Sequence, residues 1–344
     1  MHGILRAIVT NKINQMAAVK FDDIRHALAR LQPYLLPTPI FESRMLNDWL
    51  GHRILFKAEC LQRTGAFKAR GALNTLAWLQ ENGQLPERVV ANSSGNHAQA
   101  VALAANLFGI QATIYTAQNV SAVKAAATEY YGAELIRCAT RMEADRLVAE
   151  AAQQPGCYWI PPFDHPQVVA GQGTAMLEAA SQIEQLDAVF APCGGGGLLS
   201  GTLIAAREVF PACEVIGAEP AMANDAAMSL AAGSIQRLAA SPATLADGAA
   251  TLAVSELTFS YLQQLDDFYQ VDEAQIAYWT QWLTHLLKLQ VEPTSAMSMA
   301  AVASWCMQQD EQKTVLLMLS GGNIDQAKHQ LIWAEDYLQQ PPIL

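Results

Sequence analysis

Lys68 is the residue of this sequence best suited to covalent chemistry. It lies in the segment QRTGAFKARG (62–71), where a predicted helix begins. A lysine amine becomes a nucleophile towards aldehydes when burial disfavours its charged form. Taken alone, the segment is more typical of a solvated surface lysine, so the chemistry depends on what the fold brings beside Lys68.

Three turns rich in small polar residues follow predicted strands and could bind a ligand. They are Ser93–Ser94–Gly95–Asn96–His97, Gly194–Gly197 with Ser200, and Ser320–Asn323. In a parallel α/β sheet, ligands bind at the carboxyl ends of the strands, where such turns lead into helices. The glycine run directly follows a strand and opens a helix, so its backbone N–H groups could surround a phosphate.

The glycine run also has two other interpretations, a flexible turn and a dinucleotide site. Gly195, Gly197 and Gly201 form GxGxxxG, one residue away from the usual dinucleotide pattern, and Glu219 ends the next predicted strand where a ribose-binding acid belongs. A dinucleotide site would leave the other two polar turns without a role. We therefore prefer a phosphate cradle.

The elements that must position these residues alternate between strand and helix. Four predicted strands begin 23 residues apart, at Val89, Ala112, Leu135 and Tyr158. Others cover 54–56, 188–193, 215–218 and 314–319, and we predict 226–250 as helix with a loose loop. The regular spacing and the continuous apolar strands predict an α/β fold with parallel sheets. No long linker is present, so two domains would have to share the chain discontinuously.

Composition narrows the class of protein further. The chain has 344 residues, of which 51% are hydrophobic and 15% charged, so it has ample material for a core and is not disordered. A net charge of −11 argues against a nucleic-acid partner. No apolar run reaches the ~18 residues of a membrane span. The six cysteines form no CxxC pair, which is typical of reduced thiols in a cytoplasmic protein. Residues 1–15 have no clear pattern.

Eight segments together resemble the fold-type II pyridoxal-phosphate enzymes, in the threonine/serine dehydratase and serine racemase branch. They occur in family order between residues 54 and 323: QRTGAFKARGA (62–72), SSGNHAQA (93–100), PPFDHPQVVAGQGT (161–174), PCGGGGLLSG (192–201), GAEP (217–220), ADG (246–248), VEPTSA (291–296) and LSGGN (319–323). The resemblance implies a two-domain α/β fold like that of the tryptophan synthase β subunit. Its large cofactor-binding domain would comprise 1–52 plus 155–344, and its small substrate-binding domain 53–154.

The resemblance also implies roles for individual residues. Lys68 would bind pyridoxal 5'-phosphate covalently and move protons on one face of the substrate. The phosphate would lie in the cradle Gly194, Gly195, Gly196 and Gly197, while Asn96 would bind the ring hydroxyl and Ser320 the pyridine nitrogen. A hydroxyl at the pyridine nitrogen suits elimination better than it suits reactions that pass through a long-lived carbanion. The substrate carboxylate would be bound by Ser93, Ser94, Gly95, Asn96 and His97, with Arg146 as a helper.

Two further features bear on the choice within the branch. Ser94 stands where threonine deaminases often have alanine and racemases have serine, so it could act as a second acid/base, or simply cap the next helix. Glu219, Ala223 and Asp225 match a divalent-cation site of the racemase-like members, and their oxygen ligands suit Mg²⁺ or Ca²⁺.

The sequence also departs from the family pattern. Ala66 replaces a serine, Cys193 replaces a small aliphatic residue, and Thr251 stands where racemases have a serine, which argues against racemase specificity. The sequence ends soon after the SGGN helix, so we expect neither the C-terminal regulatory domain of biosynthetic threonine deaminases nor feedback control by isoleucine.

These observations predict a cytoplasmic ammonia-lyase that acts on a 3-hydroxy amino acid, with L-threonine or L-serine first. The alternatives are a serine or aspartate racemase, a 3-hydroxyaspartate dehydratase, a nicotinamide dehydrogenase and a non-catalytic cofactor-binding protein. The resemblance further implies a homodimer.

Overall fold

The computed structural model describes residues 18–118 and 120–342, which form two β-sheets flanked by helices; residues 1–15 lie outside this part. Its strands are, in chain order, β1 (Ile40–Glu42), β2 (Arg53–Ala58), β3 (Arg88–Asn92), β4 (Gln111–Ala117), β5 (Glu134–Cys138), β6 (Cys157–Trp159), β7 (Ala188–Pro192), β8 (Glu214–Pro220), β9 (Asp267–Val271) and β10 (Thr314–Leu319). The larger sheet has the order β1–β2–β10–β7–β8–β9, and only β1 is antiparallel to its neighbour. The smaller sheet is parallel throughout, with the order β5–β4–β3–β6.

Helices cover both sheets. They are α1 (Phe21–Leu31), α2 (Arg44–Leu50), α3 (Lys68–Glu81), α4 (Asn96–Phe108), α5 (Ala122–Tyr130), α6 (Arg141–Ala151), α7 (Pro166–Ala180), α8 (Gly197–Val209), α9 (Asp225–Ala232), α10 (Glu256–Leu262), α11 (Glu273–Leu287), α12 (Pro293–Ala296), α13 (Ser298–Cys306) and α14 (Gln326–Ile332). Within the described residues, none of these helices is long and apolar enough to span a membrane.

The predicted α/β class with parallel sheets is confirmed. The four strands spaced by 23 residues are the four strands of the smaller sheet. Strand β10 is buried on both faces between β2 and β7, as its continuous apolar sequence predicts. The segment 226–250 begins in α9, which ends at Ala232 because the next residue, Gly233, adopts a left-handed φ of 64°. A short 3-10 turn follows at Asp247–Ala249.

The sheets do not divide at the predicted domain boundaries. Strand β2 pairs with β10 in the larger sheet although it was assigned to the domain 53–154, and β6 pairs with β3 in the smaller sheet although it follows residue 154. The reason is that β2 bridges β1 and β10, a pairing that residue spacing does not reveal. The division into two domains stays a prediction.

Helix α7 packs directly against α3 and α8, the two helices that begin with predicted site residues. A Cβ built on Gly171 would lie 2.6 Å from the carbonyl oxygen of Arg70 in α3, and one built on Gly201 in α8 would lie 2.5 Å from the amide nitrogen of Gly173. Contacts this close are open only to glycine. The glycines thus let α3, which begins at Lys68, and α8, which begins at Gly197, pack directly against the same helix.

A buried cluster of four charged residues fixes the first turn of α3. The Arg70 guanidinium donates to both oxygens of Glu59, at 2.7 Å each, and also binds Glu178. Lys57 binds the same oxygen of Glu178, with its Nζ 2.5 Å from Oε1. The two positive and two negative groups balance one another, which satisfies charges that would otherwise be costly to bury.

Candidate active site

The Lys68 amine is buried at the start of α3. Its Nζ donates to the carbonyl oxygen of Pro162 at 2.8 Å and lies 5.0 Å from the centre of the Phe67 ring. Burial lowers the pKa of Lys68 from 10.5 to about 8, with the nearby Glu292 carboxylate acting in the opposite direction. A lowered pKa gives the amine a neutral, nucleophilic fraction near neutral pH.

The glycine turn between β7 and α8 has the form of an anion cradle. Gly196 has a left-handed φ of 86°, and a Cβ on Gly195 would lie 2.0 Å from the Phe163 ring. Among the residues described, the N–H groups of Gly194 to Gly197 have no hydrogen-bond acceptor. Free N–H groups at the N-terminus of a long helix suit a phosphate, so these residues fit the phosphate of the expected cofactor.

Short loops bring the glycine turn, Lys68 and Ser320 together. The Phe67 N–H donates to the carbonyl oxygen of Ser320 at 2.9 Å, directly before Lys68 in the chain. On the other side, Pro162 accepts from Lys68 while the next residue, Phe163, covers Gly195. The predicted cofactor-binding segments therefore converge on one place.

Ser320 presents a neutral, hydrogen-bonded hydroxyl. Its Oγ lies 2.9 Å from Ser295 Oγ, which donates to the carbonyl oxygen of Gly321 at 2.8 Å. Either hydroxyl can be the donor in this contact, so the Ser320 proton is not committed to Ser295. The group that the resemblance assigns to the pyridine nitrogen is thus uncharged.

Asn96 is held by two side chains from elsewhere in the chain. Its Nδ2 lies 3.0 and 3.1 Å from the two oxygens of Glu292, and its Oδ1 accepts from Asn323 Nδ2 at 2.9 Å. Burial raises the pKa of Glu292 from 4.5 to about 7, although the Asn96 hydrogen bond acts against the rise. Glu292 lies in the VEPTSA segment, but the sequence analysis assigned it no role.

The loop 93–97 offers further backbone donors at the start of α4. The N–H groups of Ser94, Asn96 and His97 have no acceptor in the described part of the chain, whereas the Gly95 N–H donates to Ser93 Oγ at 3.2 Å. These free N–H groups at a helix N-terminus suit a carboxylate. This arrangement suits the predicted substrate-binding role of the loop, which stays a prediction.

Ser94 and His97 are neutral in this loop. The exposed Ser94 hydroxyl lies 2.6 Å from that of Thr116. Burial, with the charge of Lys68 adding to it, lowers the pKa of His97 from 6.5 to about 3, and its Nε2 contacts the carbonyl oxygen of Ile160 at 2.8 Å. His97 is therefore an uncharged imidazole at neutral pH.

Among the described residues, no hydrogen bond or ion pair joins Arg146 to this loop, and its predicted role stays a prediction. Arg146 forms an exposed ion pair with Glu150 along α6, at 2.6 Å. Arg141, at the start of the same helix, instead reaches the carbonyl oxygen of Ala250 at 3.4 Å. Because Ala250 follows Ala249, which faces Gly194, Arg141 lies on the side of α6 nearer to the site. The sequence predicted no role for Arg141.

The predicted cation site has two buried carboxylates. Glu219 accepts from the N–H groups of Ala226 and Ala227, while Asp225 accepts from Thr251 through Oδ1 and has a buried Oδ2 with no described partner. Burial raises the pKa of Glu219 to about 8 and that of Asp225 to about 6.

This donor set fits a hard cation in part. An unpartnered buried oxygen and two carboxylates that repel each other would both be satisfied by Mg²⁺ or Ca²⁺. The described residues contain no group of three or more His, Cys, Asp and Glu arranged as metal ligands. A cation would therefore need backbone oxygen, such as that of the buried Ala223, or water. Burial and these carboxylates raise the pKa of Cys193, so its thiol stays protonated.

Comparisons with known proteins agree with this geometry. The family described as pyridoxal-phosphate dependent enzyme matches residues 31–321. The chain is 41% identical to L-threo-3-hydroxyaspartate ammonia-lyase of Saccharomyces cerevisiae over 91% of this chain and 96% of that protein. It is 40% identical to serine racemase of Schizosaccharomyces pombe, with coverage of 89% and 94%.

Solved structures give the same result. The crystal structure of a threonine deaminase from T.th. is 41% identical and superposes with a TM-score of 0.83, covering 89% of this chain and 99% of that one. The resemblance inferred from the eight sequence segments is thus confirmed, and the chain belongs to the pyridoxal-phosphate dependent enzyme family.

Proposed function

We propose that this protein eliminates the β-hydroxyl of a 3-hydroxy amino acid and releases a 2-oxo acid and ammonia, with L-threonine or L-serine as the expected substrate. The observation that carries the proposal is the Lys68 amine, which is buried beside the glycine cradle, held by one neutral carbonyl and lowered in pKa to about 8. Such an amine can both bind an aldehyde and accept a proton.

Pyridoxal phosphate, when bound, withdraws electrons from the α-carbon of the substrate and so makes its proton removable. In this proposal the free N–H groups of the loop 93–97 bind the substrate carboxylate. Lys68 Nζ accepts the α-proton, while the four glycine N–H groups bind the phosphate. In the described part of the chain the Ser94 hydroxyl has only the neutral Thr116 hydroxyl as its partner. No charged group there makes Ser94 a strong base, which favours elimination over racemisation.

A second candidate substrate is 3-hydroxyaspartate, and Arg141 favours it. Its guanidinium reaches Ala250 beside the glycine cradle, and arginine binds carboxylates through paired hydrogen bonds. A substrate with a second carboxylate could use this cation, whereas serine and threonine could not. Two relatives that are 41% and 40% identical carry the name L-threo-3-hydroxyaspartate ammonia-lyase.

We also propose that Glu219, Asp225 and the carbonyl oxygen of Ala223 bind Mg²⁺ or Ca²⁺. The support is the buried, unpartnered Oδ2 of Asp225 and the raised pKa values of both carboxylates. A bound cation would let both groups ionise inside the protein.

The test is a 2-oxo acid assay with chiral analysis on L-threonine, L- and D-serine and the 3-hydroxyaspartate diastereomers. We expect oxo acid from at least one substrate and none from Lys68→Ala. Substantial turnover by Lys68→Ala would refute the proposal. Formation of the antipode without oxo acid, lost in Ser94→Ala, would instead establish a racemase.

Two arginine variants on one helix decide between the substrates. If Arg141 binds a second carboxylate, Arg141→Met should raise the KM for 3-hydroxyaspartate by about tenfold or more, since a charge-assisted hydrogen bond contributes roughly 1.5–3 kcal/mol, and should change the KM for serine little. If Arg146 binds the substrate, as the sequence predicts, Arg146→Met should cause the loss instead.

A further inference from the structure

We propose that Glu292 and Asn323 are positioning residues that fix the orientation of the Asn96 amide, so that one N–H of Asn96 stays free to donate to the cofactor. This inference rests on the proposed function, because it takes Asn96 as a cofactor ligand. Glu292 and Asn323 touch Asn96 and not the reacting atoms, so they add two positioning residues to the proposed site. The orientation of Asn96 follows from a chain of hydrogen bonds that starts at a backbone carbonyl.

The chain of hydrogen bonds begins at a backbone carbonyl, which can only accept. Asn323 Nδ2 donates to the carbonyl oxygen of Thr64 at 2.7 Å, and this contact fixes which end of the Asn323 amide carries the nitrogen. The same Nδ2 donates to Asn96 Oδ1 at 2.9 Å. Asn96 must therefore present its oxygen to Asn323.

Glu292 fixes the other end of the Asn96 amide. Its carboxylate accepts from Asn96 Nδ2 at 3.0 and 3.1 Å, and its Oε2 also accepts from the Asn323 N–H at 3.2 Å. A flipped Asn96 would place its oxygen against the carboxylate and its nitrogen against another nitrogen. Glu292 is only 3% exposed, so water cannot relieve that mismatch.

This arrangement leaves one donor of Asn96 unused. The two N–H bonds of one amide nitrogen point in different directions, whereas the two oxygens of one carboxylate lie close together. The two oxygens of Glu292 therefore share a single N–H of Asn96. No other described residue accepts from Asn96 Nδ2. The second N–H is thus available to an acceptor on the cofactor, and a flip would replace it with a carbonyl oxygen.

Two glycines make room for the positioning residues. A Cβ on Gly65 would lie 2.8 Å from Asn323 Oδ1, and one on Gly321 would lie 2.7 Å from Glu292 Oε1. Gly65 lies in the loop that leads to Lys68, and Gly321 follows Ser320. The network therefore ties Asn96 to the loops that carry the two other predicted cofactor ligands.

A double-mutant cycle tests whether Glu292 acts through Asn96. Holoenzyme is dialysed against graded pyridoxal phosphate, and the bound fraction is measured from the visible absorbance of the cofactor. We expect Glu292→Gln to weaken cofactor binding about tenfold, the effect of roughly one good hydrogen bond, and to shift the absorbance band. In an Asn96→Ala background, the same change should weaken binding less than about twofold, because there is no amide left to orient.

Equal losses in both backgrounds would overturn the proposal, since Glu292 would then act on Lys68 or on the fold directly. If circular dichroism shows that Glu292→Gln is unfolded, the cycle of Asn323→Ala with Asn96→Ala decides the same question. Asp187→Asn is the matched control, because this carboxylate accepts from the Thr314 N–H where β7 and β10 begin, at the opposite end of the sheet. A wild-type protein that binds no pyridoxal phosphate would refute the proposed function instead.

Discussion

Replacing Lys68 with methionine should stabilise the cofactor-free protein near neutral pH. The pKa of Lys68 falls from 10.5 to about 8 because burial disfavours the ammonium group. Each pKa unit corresponds to about 1.36 kcal/mol, so below pH ~8 the charged lysine lowers the free energy of unfolding by about 3 kcal/mol. This cost disappears as the pH rises from about 8 to above 10.5, since the folded protein then binds fewer protons than the unfolded chain.

Urea denaturation of wild type and Lys68→Met at about pH 7 and about pH 11 measures this effect. The hydrogen bond to Pro162 is lost at both pH values, so it cancels in the comparison. We expect the stability advantage of the variant to be about 3 kcal/mol larger at the lower pH. Lys328→Met is a control, because that lysine is paired with Asp247. An advantage that does not change with pH would refute the reasoning that burial lowers the Lys68 pKa.

Three further changes have defined outcomes. Gly195→Ala would place a Cβ 2.0 Å from the Phe163 ring, so we expect cofactor binding to weaken at least about tenfold in dialysis and to recover partly in a Phe163→Ala background. Arg70→Met leaves the buried Glu59 and the partly buried Glu178 each short of a partner, and denaturant unfolding should show a loss of about 3–5 kcal/mol. Because the folded-state pKa values of Glu219 and Asp225 are raised to about 8 and 6, their contribution to stability is lost as pH rises through those values. In thermal denaturation, Mg²⁺ or Ca²⁺ should therefore raise Tm more at about pH 8 than at about pH 5, and less in Asp225→Asn.

Strands could be predicted from the sequence where burial alone determines which residues form them. Strand β10 agrees with its prediction at both ends, because TVLLML packs between two parallel neighbours and needs no other signal. Strand β9 (Asp267–Val271) was not predicted, because it is an edge strand with polar residues among its apolar ones. The helix α7 was also not predicted as an element, although its residues were quoted in a family motif.

The site was predictable where a residue acts through its own local segment. Lys68, the glycine cradle and Ser320 meet as expected, because each lies at the carboxyl end of a strand or the start of a helix. Residues for which we propose a role through distant contacts were not predicted. Glu292 lies 196 residues from Asn96, and Arg141 differs from Arg146 only in the side of α6 that it occupies. Neither the contact between Glu292 and Asn96 nor the difference between the two sides of α6 is visible in the sequence.

Burial affects ionisable groups in two opposite ways in this molecule. In the Arg70–Glu59 pair, opposite charges lie together, and the pKa of Arg70 is raised, so the charged form is favoured. Around the proposed site, opposite charges and hydrogen bonds offset burial only in part: the pKa of Lys68 falls to about 8, that of His97 falls to about 3 and that of Glu292 rises to about 7. Lys68 and His97 are moved towards their neutral forms, which are the forms that accept protons or attack a carbonyl, whereas the N–H groups of Asn96 and Asn323 support the carboxylate form of Glu292. The charged cluster therefore stabilises the first turn of α3, while the neighbouring Lys68 lowers stability in return for a reactive amine.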